Sequence, residues 1–368
     1  MSPRELLGQH LMIGLDGHRL TDREKRFLVE NNIGGVTLFG RNVQSPAQVA
    51  ELSREIQELA PRTASKMPFF IGVDQEGGRV ARLREPFTVW PPLRALGQID
   101  SPNASYNFTL ALGRELLEVG INLDYAPCLD VFTNPQNTVI GDRALSDDAE
   151  KVAKHASALV RGFVKAGVVP CGKHFPGHGN TLIDSHEDLP VENATLERLE
   201  SLEFIPFKKA FKSGLDFVMT AHILFPNIDP KWPATLSEIF LKRILREQLG
   251  FRGVIITDDM DMKAMAKHFD RAELPVMALN AGVDMVLYCN EPDIPPMALD
   301  SMEKALAQGR LREDNLRASY ARIEKLKREG LTATAPRGIP ASDWKSSDRH
   351  RQMAQSFREG RLPDDLEV

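Results

Sequence analysis

SEIFLKRILREQLGFRGVIITDDM, residues 237 to 260, holds the repeating unit of the chain in one stretch. Residues 237 to 250 carry helical spacing, with Ser237 where an N-cap belongs and Gly250 where a helix stops. A short apolar run, Gly253–Ile256, follows, and the polar Asp258 comes just after it. The same succession recurs along the sequence, as in the helical stretch 47 to 60. The apolar runs are Leu11–Leu15, Gly35–Phe39, Phe69–Val73, Ile121–Leu123, Val168–Cys171, Phe217–Met219, Gly253–Ile256 and Val283–Tyr288. Strands that are apolar throughout, each followed by a helix, predict a parallel sheet covered on its outer face. Eight such units in about 330 residues predict a (β/α)8 barrel of the TIM type rather than an open doubly wound sheet.

Polar residues follow almost every run: Asp16, Arg41, Asp74, Asp124, Lys173 with His174, His222, Asp258 and Asn290. In a barrel these are expected to converge at one mouth, where sites of this fold are built. Residues 1–330 are assigned to the barrel, with no second α/β sandwich domain. Residues 331–368, rich in Pro, Ser and charge, are expected to form a tail lying on the barrel or partly disordered, with one short helix around Arg349 to Glu359.

Hydrophobic residues at 42% and charged residues at 26% are ordinary for a globular chain, and a formal charge of −5 gives no footprint for nucleic acid. Cys171 and Cys289 sit in apolar runs and read as core residues of a protein kept in a reducing compartment. Without a CxxC, a structural zinc site has no support. The N-terminus lacks the pattern of a signal peptide, and no run approaches the roughly 18 apolar residues that span a membrane. The expectation is a cytoplasmic monomer that needs no cofactor or metal and has no membrane partner.

KHFPGHGNTLIDSH, residues 173 to 186, lies in a connection far longer than the usual βα loop of about two to six residues. The strand is expected to end near Cys171 and the next helix, TLERLESLEFIPFKKAF, to start near Thr195. Three readings of the loop compete. As a metal site, His174 and His178 are four apart but separated by Pro176 and Gly177, so they share no helical face. As a phosphate cradle, GHG is too sparse in glycine. As a proton-handling site, Asp184 and His186 lie on one side of an extended segment, where the aspartate can orient the imidazole. The length of the loop favours the third reading. After the seventh run, Asp258 emerges as a carboxylate held toward the barrel axis. It ranks ahead of Asp259 only by its closeness to the strand, and Asp259 and Asp261 suit loop or capping roles. A rigid carboxylate with a protonatable partner suits displacement at an acetal carbon.

GKHFPGHG followed by DSH, with VDQEGGRVARL before and GVIITDDM after, resembles the family 3 glycoside hydrolases. Within them it is most similar to the NagZ-type β-N-acetylglucosaminidases of bacterial cell-wall recycling. The resemblance runs from about residue 8 to 330. It implies a retaining exo-β-N-acetylglucosaminidase acting on small carbohydrate or muropeptide substrates. It further implies Asp258 as nucleophile and His186 with Asp184 as the acid/base dyad. Asp74, Arg82, Arg143, Lys173 and His174 would line the sugar subsite, with His178 organising the loop. Asp261 departs from the family, which often has a small residue there. Many members carry the acid/base on a second domain, whereas here it is expected on the barrel loop. Rival readings are a metal-dependent barrel hydrolase using His174, His178 and His222, a sugar-binding barrel without chemistry, and an enzyme using phosphate rather than water as acceptor.

Overall fold

All eight apolar runs form strands. The computed structural model describes residues 1–182, 184–185, 187–331, 338, 340–341, 344–363 and 366. The strands are β1 Leu11–Gly14, β2 Gly35–Leu38, β3 Phe70–Val73, β4 Leu123–Asp124, β5 Val169–Phe175, β6 Phe217–Thr220, β7 Val254–Asp259 and β8 Met285–Tyr288. Each pairs in parallel with the next, and β8 returns to β1 through Leu11↔Val286 and Met12↔Leu287, so the sheet closes into the predicted barrel.

The runs are apolar throughout because both faces of the sheet are covered. Along each strand alternate residues point inward. Met12, Phe70, Leu123, Val169, Phe217, Val254 and Met285 pack with Cys171, Met219, Ile256 and Leu287 inside the barrel. Ile13, Val36, Ile71, Val218, Ile255 and Val286 belong to the outer core beneath the helices. Inside, Phe70 and Phe217 meet edge to face at 5.6 Å. Gly72 makes room for Tyr125, because a Cβ there would lie 2.8 Å from the phenol oxygen. That oxygen pairs with Thr37 Oγ1 at 2.7 Å.

The helices start where short polar side chains accept orphan amides. Ser45, Ser101, Asp148 and Thr195 cap Pro46–Leu59, Pro102–Glu118, Ala149–Ala166 and Leu196–Ser201. The stretch beginning at Ser237 winds as a π-helix over Ile239–Gln248. Ser237 Oγ accepts the amide of Phe240 at 3.3 Å, and Gly250 follows at φ +72°.

Two details differ from expectation. β5 runs on to Phe175, so Lys173 and His174 belong to the strand rather than to the loop after it. The predicted helix from Thr195 is two helices, Leu196–Ser201 and Phe204–Phe211, because Leu202 leaves helical geometry. In the tail, the helix Asp348–Arg358 buries Met353, Ala354 and Phe357 and packs against Leu93–Ile99 and Pro102–Glu118. His350 Nδ1 reaches Glu115 Oε1 at 2.6 Å, and Trp344 packs on Phe87 with ring centres 5.0 Å apart.

Lys327, on the helix Glu313–Gly330, closes the end of the barrel where the strands begin. Its buried ammonium donates to the Gly34 carbonyl at 2.6 Å and to Gln9 Oε1 at 3.1 Å, and lies 5.1 Å from the Phe70 ring centre. Burial lowers its pKa to about 7. Between that value and the ordinary 10.5 the unfolded chain holds a proton that the folded one lacks. This residue therefore makes stability rise with pH across that window and adds no slope below it. Comparing urea unfolding of wild type and Lys327→Met from pH 7 to 10 should show a difference that changes by up to about 1.4 kcal/mol per pH unit. A constant difference would mean that Lys327 stays charged in the fold.

Candidate active site

The inward parity of the strands builds the site. On β7, Val254 and Ile256 face the interior; beyond Ile256 the register against β8 shifts, Leu287 pairing with Asp259, and both Asp258 and Asp259 reach the cavity at the open end. The same rule sends Asp74, after Phe70 and Gly72, and Lys173, after Val169 and Cys171, into the mouth. β3 and β7 stand on opposite sides of the closed barrel, so Asp74 and Asp258 face each other across it. The resulting cavity of about 460 Å³ is lined by Asp74, Arg82, Arg143, Lys173, His174 and Asp258 together with Phe39, His178, Ser185, Asp259, Asp261, Met262 and Lys263.

One wall is a network of buried charge. Lys173 Nζ donates to Asp74 Oδ1 and to Glu76 Oε1, both at 2.7 Å. Arg143 forks onto Glu76 at 2.8 and 2.9 Å, and Arg82 reaches the second oxygen of Asp74 at 3.1 Å. Burial alone would raise the Asp74 and Glu76 carboxyls, but Lys173 with Arg82 holds the first below the usual range, and Arg143 with Lys173 holds the second well below it. Burial likewise works against the Lys173 ammonium, and the two carboxylates overcome it, so its pKa is raised.

His174 continues the network. Its Nδ1 donates to Asp130 Oδ2 at 2.7 Å, since a buried carboxylate held well below its ordinary pKa can only accept. Arg143 can only donate, so the 3.2 Å contact to Nε2 requires the lone pair there. The ring is thus a neutral Nδ1–H tautomer held at both ends. Asp130 also accepts the His178 amide at 2.7 Å, and the His178 ring contacts Thr181 Oγ1 at 2.6 Å. Burial lowers the His178 pKa to about 4. His178 therefore ties the loop 176–181 to Asp130.

The opposite wall holds three carboxylates. Asp258 Oδ1 accepts the amide of Asp259 at 2.8 Å. Asp259 takes the Cys289 amide at 3.1 Å, the Asn290 side-chain amide at 2.8 Å and the Asp261 amide at 3.0 Å. Burial first, then the nearby Asp261 charge, pushes its pKa up to about 7. Asp261 accepts the amides of Asn290 and Glu291 at 3.0 and 3.3 Å, fastening the connection after β8.

The structure gathers Asp74, Arg82, Arg143, Lys173, His174 and Asp258 around one cavity. Asp184 is described in the loop, with its carbonyl accepting the amides of Glu187 and Asp188, and Ser185 beside it lines the cavity. His186 lies outside the described residues. Not every polar residue after a strand reaches the mouth. Asp16 and Asp124 do not line the cavity; Asp124 is buried outside the barrel interior, beneath the Gln75 amide. His222 also stays outside it, held between Thr235 Oγ1 at 2.8 Å and the Asp259 carbonyl at 3.1 Å. That places His222 away from His174 and His178 and dissolves the three-histidine metal set. Among the described residues the one group able to offer three metal-ligand atoms is Cys128, Asp130 and His174, and Asp130 Oδ2 is already shared between the other two side chains.

Glu76 and Asp130 escaped the reading of the sequence. The signal for Glu76 was in VDQEGG: it lies two residues after Asp74, the spacing that keeps a side chain on the same side of an extended segment.

The comparisons give the family. The model for the glycosyl hydrolase family 3 N-terminal domain matches residues 4–326. This chain belongs to that family and is a glycoside hydrolase. A β-hexosaminidase of Nitrosomonas eutropha is 40% identical over 299 residues, 80% of this chain and 84% of the relative. The family 3 β-N-acetylglucosaminidase of Paenibacillus sp. FPU-7 superposes with a TM-score of 0.93 at 38% identity, over 98% of this chain and 69% of the other. NagZ of Neisseria gonorrhoeae, solved with N-trifluoroacetyl-D-glucosamine, superposes with a TM-score of 0.77 at 33% identity, over 95% and 97% of the two chains. No helix among the described residues is long and apolar enough to cross a membrane.

The Lys173 and Glu76 side chains are each only 2% exposed, so solvent cannot replace a lost partner. Glu76→Gln should lower the unfolding free energy by about 3 kcal/mol in urea titration, because it leaves Lys173 and Arg143 short of one buried charge. A loss below about 1 kcal/mol, the range of surface ion pairs, would show that the network is solvated.

Proposed function

We propose that this chain is a retaining exo-β-N-acetylglucosaminidase whose substrates are muropeptide fragments of peptidoglycan, met in the cytoplasm. The observation that carries the reading is the placement of Asp258 in the cavity at the end of β7, opposite the Asp74–Lys173–Glu76–Arg143 wall. The β-hexosaminidase names of its relatives, and the N-acylated glucosamine bound to one of them, support the sugar; the muropeptide aglycone rests on the NagZ resemblance.

In this reading the terminal sugar turns its hydroxyl groups toward Asp74, which accepts, and toward Lys173, Arg82 and Arg143, which donate. The pre-formed network keeps these groups charged and aimed before substrate arrives. Its anomeric carbon then faces Asp258. An Asp258 oxygen attacks that carbon as the bond to the leaving oxygen breaks, and His186 gives its proton to that oxygen. Water next attacks the same carbon, passing a proton to His186, and the carboxylate leaves as it came. Two inversions give net retention. Asp184 orients the imidazole and favours its charged form. Asp259 is the less suitable nucleophile: its oxygens are taken up by the Cys289, Asn290 and Asp261 donors, and its raised pKa leaves it partly protonated near neutrality.

Asp258→Asn should abolish hydrolysis of nitrophenyl β-N-acetylglucosaminide with unfolding unchanged. Near-normal turnover in that folded variant would move the nucleophile elsewhere. The nitrophenyl β-glucoside, lacking the N-acetyl group, should be a poor substrate.

His186→Ala should reduce turnover of the N-acetylglucosaminide by roughly 10²–10⁴-fold. Nitrophenol needs little protonation to leave, so glycosyl-enzyme should build up as a burst in stopped-flow measurements. Asp184→Ala should show the same defect in milder form. Equal turnover in wild type and both variants would make the DSH segment a structural loop feature.

A further inference from the structure

Away from the mouth, a second cavity of about 300 Å³ opens at the end of the barrel where strands begin, bordered by Arg252 before β7 and by Gly282 and Val283 before β8. Its charged lining is Lys242, Arg246, Arg252, Arg312 and Arg322, and no carboxylate lines it among the described residues. We propose that this cavity is a binding site for a phosphate-bearing anion.

The nearest buried carboxylate, Asp284, is already saturated. Its Oδ2 accepts from Arg246 at 2.5 Å and from the Ile255 amide at 2.8 Å. Its Oδ1 accepts from both Arg322 nitrogens at 2.7 and 3.0 Å and from Ser319 Oγ at 2.6 Å. Arg246 gives its other terminal nitrogen to the Phe251 and Gly253 carbonyls. Those bonds fix the inner two guanidiniums in place. Among the described residues, Lys242 pairs only with the exposed Glu238. Arg252 and Arg312 have no acidic partner among the described residues.

Five cations against Asp284 and Glu238 leave three positive charges around one small concavity, in a chain whose formal charge is −5. Like charges packed this closely repel, and the repulsion is felt inside: burial first, and the neighbouring Arg322 and Arg252 charges besides, lower the pKa of Arg246. An anion between them relieves that repulsion. Guanidinium groups present paired N–H donors that match a phosphoryl group with several oxygens, and the concavity has the size of a small-ligand site. The side-chain amide of Asn315, on the same wall, adds a neutral donor.

The test uses the full-length protein and measures binding, so it is independent of which sugar the mouth accepts. Wild type and the double variant Arg252→Gln/Arg312→Gln are titrated with inorganic phosphate and with tripolyphosphate, against sodium chloride at matched ionic strength. Melting temperature and isothermal titration calorimetry are both read. Neither arginine takes part in the Asp284 network, so the double variant should fold and hydrolyse nitrophenyl sugar as wild type does. Wild type should show a saturable rise in melting temperature, and the double variant should bind about tenfold more weakly or worse. Saturation by inorganic phosphate assigns a single phosphoryl ligand, and saturation by tripolyphosphate alone assigns a polyphosphate chain. A rise matched by sodium chloride, or undiminished calorimetric affinity in the double variant, overturns the proposal.

Discussion

The ammonium of Lys173 is the point on which the mouth of the barrel depends. It is desolvated, and a desolvated cation is stable only where anions surround it. Asp74 and Glu76 supply them from the segment after β3. Glu76 then carries charge to spare, which holds Arg143 in place, and Arg143 in turn fixes the tautomer of His174. The polarity that would grip a sugar is therefore organised before any sugar enters. This wall is preorganised in the sense that matters for binding: its side chains lose little freedom when ligand arrives.

The two sides of the cavity use carboxylates differently. On the β3–β5 side Asp74 and Glu76 are each matched by cations and stay ionised. On the β7–β8 side Asp258, Asp259 and Asp261 crowd together, and one of them responds by holding its proton to about pH 7. Taking up the proton on Asp259 leaves the Asp258 charge less opposed. Asp261, where the family often has a small residue, therefore has a cost in repulsion and a return in order, since it fastens the Asn290–Glu291 backbone beside the cavity.

Much of this was legible in the sequence, and the gaps have physical causes. The eight strands announced themselves because each is buried on both faces. That same double burial hid the irregularity in β7: with Val254, Ile255 and Ile256 all apolar, nothing in the residue types marks where the alternation breaks or which aspartate reaches the cavity. β5 seemed to stop at Cys171 because Lys173 and His174 look like loop residues; only partners 99 and 44 positions away make them tolerable inside a strand. Glu76 and Asp130 were missed for the same reason, since a carboxylate declares its purpose through its partner. Asp16, Asp124 and His222 were credited to the mouth because position after a strand is readable, whereas orientation is not.

The end of β7 makes the chemistry of this barrel a matter of register. Between the pairs Ile256↔Met285 and Asp259↔Leu287 the strand takes up one residue more than β8 does, and that irregularity brings two adjacent aspartates to one cavity, where a regular strand would send one of them to the outer layer. Restoring the regular alternation would require β7 to slip by one residue against β6 or β8. The barrel cannot absorb such a slip locally, because closure ties the stagger of every strand to that of its neighbours. Hydrogen bonds between backbones that bear no functional group thus decide which acids meet the ligand.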